Sequence, residues 1–211
     1  TPHRGSTDAY LTWGGGELGL GPSNLIVQRI FKLEAELNGY GGVFEYIRGL
    51  PMGSVQELLP IYPYLHDSSQ SNLKDYPDGY PRNTFLEQLN TDALINKLSD
   101  IKVLNILANA GDDSTINSFR TVNQTSVFGE WEHGYPENYG GLFGDKGLEY
   151  KEGDSTVPKK SNENFTGTQV IINGNHRGIV SDAQKNVIKE LTGIEPSNEV
   201  KQNIFTRWLL V

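Results

Sequence analysis

Apolar residues recur at helical spacing from Leu25 to Leu37 (Leu25, Ile26, Ile30, Leu33, Leu37), and Asn38-Gly39 follows. That spacing predicts an amphipathic helix that stops there. Residues 1–21 before it are Gly-rich and turn-like. Residues 51–64 suit a short helix, with Ser54 as cap and Val55, Leu58 and Leu59 as its apolar set, followed by proline-broken chain. Residues 66–81 are polar and read as loop. Residues 83–100 read as one helix or two short ones, with Phe85, Leu86, Leu89, Leu94, Ile95 and Leu98 as the apolar face.

The second half changes period. Ile101, Val103, Leu104, Ile106 and Leu107 form a compact apolar run that ends in Asn-Ala-Gly, which suits a buried parallel strand. Residues 112–150 are irregular and aromatic, with a hairpin expected near 118–125. Residues 168–172 are β-branched and read as a strand. Residues 181–192 read as a helix: Ser181 can cap, Gln184 can reach back, and Gly193 ends it. The tail, 197–210, suits a further helix or the opening of another module. Strands alternating with helices argue for an α/β sheet.

Composition narrows the function classes. Hydrophobic residues are 36% and charged residues 21%, which fits a globular chain and not a disordered one. No apolar run approaches the roughly 20 residues that span a bilayer. The net charge is −8 with no Lys/Arg cluster, so neither nucleic acid nor an anionic membrane surface is an expected partner. The chain has no cysteine, which excludes disulfides, thiolate metal sites and a cysteine nucleophile. It leaves the compartment open. Asp112, Asp113, Glu132 and Asp145 match no calcium-binding spacing and read as a solvated acidic region. His66 and His133 sit in polar, Tyr-rich stretches and are expected to be solvated. Asn123-Gln124-Thr125 and Asn164-Phe165-Thr166 match glycosylation acceptors, a pattern too common to weigh.

Two loops carry candidate chemistry. The first is Gly153-Asp154-Ser155-Thr156-Val157-Pro158, and the second is Asn173-Gly174-Asn175-His176-Arg177-Gly178. Loops at the carboxyl ends of neighbouring strands meet at the ligand crevice of an open α/β sheet. An Asp on one and a His on the other can then touch. The carboxylate would orient the imidazole and stabilise the imidazolium that forms when it takes a proton from a serine. Taken singly, Asp154 would suit a turn cap and His176 an ordinary loop position.

These motifs resemble the C-terminal part of α/β-hydrolases of the lecithin:cholesterol acyltransferase-like lipase family. That family carries its acid in a Gly-Asp-x-Thr-Val-Pro-like loop and its histidine in a turn after the next strand. The resemblance implies Asp154 as the acid and His176 as the general base. Three weaker stretches follow the family order. Thr1-Pro2-His3-Arg4-Gly5-Ser6 is similar to the loop after the strand that follows the nucleophile helix. Residues 54–60 are similar to a cap-region motif. Residues 103–115 are similar to the strand and Gly-rich loop before the acid. His3 becomes the substrate-side candidate, with a plain loop role as its alternative. The implied organisation is a cap-like region over 10–98, core strands with the acid and histidine loops over 99–192, and a tail over 193–211. Trp13, Tyr40, Phe44, Tyr46, Tyr62 and Tyr64 fall in that region; core packing explains any one of them, and the resemblance implies that several line the cap over an apolar acyl substrate.

One departure matters. The nucleophile elbow of the fold, Gly-x-Ser-x-Gly, does not occur in the chain. The resemblance places it, and the oxyanion loop, upstream of Thr1. The expectation is therefore the C-terminal half of an α/β-hydrolase, completed by an N-terminal half in cis or as a separate chain, and inactive alone. A sheet cut in this way would expose a central strand as an edge and invite pairing. The expected activity is hydrolysis or acyl transfer on a lipid-like ester, with no metal or organic cofactor. The alternatives are a non-catalytic relative that binds or scaffolds, and an unrelated α/β domain that binds sugar or peptide.

Overall fold

In a computed structural model, the described residues are 3–18, 22–49, 53–123, 129–141, 143–163 and 165–196. Helices and strands are mixed, and part of the strand pairing is parallel. The first stretch is helical: α1 (Ala9–Gly15), α2 (Pro22–Leu37), α3 (Val43–Gly49) and α4 (Gly53–Gln56). β1 (Leu65–Asp67) comes next, then α5 (Thr84–Leu89) and α6 (Asp92–Ile95), which runs into a 3-10 turn over Asn96–Asp100. The stretch 83–100 is thus broken in two. The break follows from Asn90, whose side chain bonds back to the Leu86 carbonyl at 2.9 Å and ends α5. Asn83 caps the start of α5 by accepting the Leu86 N–H at 3.0 Å.

The strands of the second half are β2 (Leu104–Asn109), β3 (Thr115–Val122), β4 (Tyr135–Pro136), β5 (Leu148–Lys151) and β6 (Thr168–Asn173). Two helices close the described chain: α7 (Ile179–Asp182) and α8 (Gln184–Thr192). β2 and β6 pair in parallel along their whole length, from Leu104 opposite Thr168 to Asn109 opposite Asn173. β3 is the spine of a second sheet. It pairs in parallel with β1 and, on its other side, antiparallel with β4 and β5. Over 115–122 the chain is one strand whose partners come from three places; residues 124 and 125 of the hairpin expected near 118–125 lie outside the described residues. The tail over 197–210 lies outside the described residues, as do Gln124, Thr125 and Asn164 of the two glycosylation patterns.

The core sits between β3 and α1 and is aromatic. Tyr10, Tyr64 and Phe119 are fully buried, with Tyr62, Tyr80 and Trp131 around them. Their rings meet edge-on or tilted; Tyr10 lies 5.6 Å from Tyr64, 5.3 Å from Phe119 and 5.8 Å from Trp131. The Tyr80 hydroxyl accepts the Tyr64 and Leu65 N–H groups and donates to the Lys74 carbonyl at 2.8 Å. Tyr62 and Tyr64 are thus core residues, not the cap lining expected for them.

Three further expectations change. Ser54 and Ser181 lie inside α4 and α7 and cap neither. Asn175 starts the last helical stretch earlier, because its side chain accepts the Arg177 and Gly178 N–H groups and its carbonyl takes the Ile179 N–H. His66 is buried, not solvated: Nε2 faces the Glu149 carboxylate at 3.1 Å and Nδ1 the Gln70 carbonyl at 2.9 Å. The α2 helix forms where the spacing put it, but Leu25, Ile26, Ile30, Leu33 and Leu37 are exposed, and Ala35 is its buried side chain. Ile171 of β6 and Val180, Val187 and Leu191 of α7 and α8 are exposed as well.

One short segment ties the chain before α1 to the chain after α4. Ser6 donates its N–H to the Leu58 carbonyl at 2.7 Å, and Ile61 donates to the Arg4 carbonyl at 3.0 Å. Between these bonds Gly5 takes φ +91°, and a methyl there would overlap the Leu59 carbonyl. Gly5→Ala should therefore cost about 3 kcal/mol, from left-handed strain plus overpacking. Denaturant unfolding will read this; a loss below about 0.5 kcal/mol, on the order of an ordinary surface change, would show that the close approach of Gly5 to Leu59 does not constrain the fold.

Candidate active site

The acid loop is built by backbone geometry. The Gly153 carbonyl accepts the Ala110 N–H at 2.7 Å, so the loop starts at the end of β2. A side chain at Gly153 would overlap Thr115 and the Val157 carbonyl. Ser155 then turns left-handed, at φ 74°, and its N–H is taken by the Thr115 hydroxyl at 2.8 Å. That turn aims the N–H groups of Thr156 (3.0 Å) and Val157 (2.6 Å) at Oδ1 of Asp154. An Asp that accepts amides two and three residues ahead is the turn role its sequence allows. Here it uses one carboxylate oxygen and leaves the other free.

Oδ2 is that free oxygen, and it lies 2.8 Å from Nδ1 of His176. The backbone adds a second tie: the His176 N–H donates to the Asp154 carbonyl at 2.7 Å. The parallel pairing of β2 and β6 makes this contact possible, because it ends both strands at the same level, Asn109 beside Asn173. Gly174 continues the register by donating to the Asn109 carbonyl at 3.0 Å. An ionised carboxylate can only accept, so in the neutral ring Nδ1 carries the proton and Nε2 keeps its lone pair. Among the described residues, no hydrogen bond reaches Nε2. The Asp154 side chain is 10% exposed and that of His176 46%, so the acid is enclosed and the base is open.

His176 opens onto a cavity of about 260 Å³ with largely apolar walls. Val157 beside the acid, Val55 of α4, Leu58 just after it, and Ser6 and Asp8 before α1 contribute to it. Ser6 Oγ donates to the Thr156 carbonyl at 2.6 Å and ties the two loops together. His3 sits elsewhere. Its ring stacks flat on Phe165, centroids 3.7 Å apart, and its N–H donates to the Asn162 side chain. Burial is the main cause that lowers its pKa. The expectation of His3 in the substrate pocket is thus corrected, since the stacking on Phe165 holds its ring outside the cavity lining; Ser6 and Asp8 from the same loop take that place. His133, expected to be solvated, is partly buried, and burial lowers its pKa. Asp145 of the acidic group binds Arg120 through both oxygens at 2.6 Å. Among the described residues no three His, Asp or Glu side chains are grouped to hold a metal ion.

Asp8 is the residue that sequence reasoning missed. Burial first, and the nearby Asp154 carboxylate second, push its carboxyl up to about 7. The stretch 1–21 reads as Gly-rich turns, so nothing in it singled out Asp8. No known protein-family model matches the chain, and no curated protein sequence matches it significantly.

Asp8 makes stability depend on pH in a defined direction. Its folded pKa lies above the ordinary value of 3.8, so the folded state resists its ionisation. The penalty is absent below about pH 4, grows through the interval, and is complete above about pH 7. Asp8→Asn should therefore melt progressively higher than wild type as pH rises from about 4 to 8, by several degrees at the upper end. A difference in melting temperature that stays constant with pH would contradict this origin.

Proposed function

We propose that the chain carries the acid and base of a Ser-His-Asp triad on an α/β-hydrolase fold resembling the lecithin:cholesterol acyltransferase-like lipases, and that it acts on a lipid-like ester. The observation that carries this reading is the 2.8 Å contact from Asp154 Oδ2 to His176 Nδ1, with Oδ1 held by two amides and the histidine facing an apolar cavity. A histidine fixed in this tautomer has one function left, to take a proton at Nε2. The apolar walls suit an acyl chain.

The serine is proposed to come from polypeptide outside these 211 residues. Two observations support this. The chain holds no Gly-x-Ser-x-Gly elbow, and no described hydroxyl bonds to Nε2. Among the described residues β2 pairs with β6 alone, and its open edge suits the added part of the sheet. In the reaction, the serine hydroxyl passes its proton to Nε2 as its oxygen attacks the ester carbonyl. Asp154 stabilises the imidazolium through Nδ1–H. The imidazolium then protonates the leaving alkoxide, which departs as the alcohol and leaves the acyl-serine. Water or a second alcohol repeats the sequence on that acyl group, again giving its proton to His176, and frees the serine.

A second reading, a binding module that keeps the fold without the chemistry, is favoured by the same unpartnered Nε2. One experiment separates the two. In the intact protein, with the polypeptide that supplies the serine, His176→Ala should lower kcat/KM on a p-nitrophenyl acyl ester by about 10⁴-fold, and Asp154→Asn by a similar factor. Normal esterase activity in the His176 variant would refute the triad. No esterase activity in the wild type would favour the binding module.

A further inference from the structure

Asp8 is unusual in what it does not do. An Asp at this position normally accepts a free N–H in the first helical turn. In α1 it accepts none. The reason is local: the N–H groups of Ala9, Tyr10 and Leu11 are already taken by the Ser6, Thr7 and Asp8 carbonyls. The carboxyl is left over, and its Oδ1 is buried with no hydrogen-bond partner. It lines the same cavity as His176. No lysine or arginine lines that cavity to pair with it. The titratable groups that feel its charge are Asp154, Tyr62 and Tyr150. A buried acceptor without a donor costs about 1–3 kcal/mol, and such groups are rare unless they serve a site.

We propose that Asp8 determines specificity by accepting a hydrogen bond from a free hydroxyl on the alcohol part of the substrate, so that the site prefers esters of a polyol over esters of a simple alcohol. The apolar walls take the chain, and the one unpartnered carboxyl in the cavity reads the hydroxyl end. A neutral or an ionised carboxyl can accept from a hydroxyl, so recognition holds on both sides of its titration. This assignment rests on the proposed ester-cleaving site, but its test does not require cleavage.

The probes are two non-hydrolysable ethers of one chain length: octyl glycerol ether, with two free hydroxyls, and octyl methyl ether, with none. Titration calorimetry on the protein should show the glycerol ether bound at least tenfold more tightly. Asp8→Ala should abolish that preference and leave the methyl ether within about twofold, while Asp8→Asn, which keeps an acceptor, should retain part of it. Equal binding of the two ethers by wild type, no binding of either, or an equal loss on both in Asp8→Ala would each overturn the assignment. A preference that survives alongside an inactive wild-type enzyme would instead sink the hydrolase reading and leave the hydroxyl-recognition role of Asp8 standing.

Discussion

The Asp154 carboxylate divides its two oxygens between two different tasks, and the site depends on that division. Oδ1 is spent on the N–H groups of Thr156 and Val157, which fixes the side chain without help from the histidine. Oδ2 is left pointing at Nδ1 of His176. A carboxylate with only the imidazole for a partner could rotate away, whereas one clamped by two amides cannot. The clamp in turn depends on Thr115, which takes the Ser155 N–H and supports a left-handed residue. Thr115 begins β3, so the turn is anchored in the aromatic sheet, while the histidine is carried by β6 of the other sheet.

The cavity holds a second carboxyl in the opposite condition. Asp154 has its donors in place; Asp8 has a buried oxygen with none and a pKa pushed up to about 7 by burial. The two carboxyls differ in their partners: both oxygens of Asp154 are engaged, and Oδ1 of Asp8 is not. On the proposed reading, the first orients the base and the second is left to meet a substrate group.

Much of this was legible in the chain, and the rest was hidden for physical reasons. The strands at β2 and β6 showed as short β-branched or apolar runs, and the loops after them showed as Gly-flanked acid and histidine. The contact between Asp154 and His176 follows from parallel neighbours ending at one level. Asp8 was invisible because its stretch is Gly-rich and turn-like, and neither spacing nor composition shows that a carboxyl lacks a partner. His66 looked solvated because its stretch is polar, yet Glu149 and the Gln70 carbonyl take both ring nitrogens. Tyr62 and Tyr64 looked like lining because spacing cannot tell a core ring from a pocket ring. The α2 stripe was read correctly as helical, but periodicity says only that one face is apolar. It does not say what covers it, and Leu37 stays 73% exposed.

The tautomer of His176 is the most direct probe of the clamp. Nitrogen-15 NMR of the ring at neutral pH should find the proton on Nδ1 and a bare Nε2, with the Nδ1 proton shifted far downfield and lost in Asp154→Ala. A ring protonated on Nε2, or a spectrum indifferent to the loss of Asp154, would contradict the shared-carboxylate geometry on which the site is built.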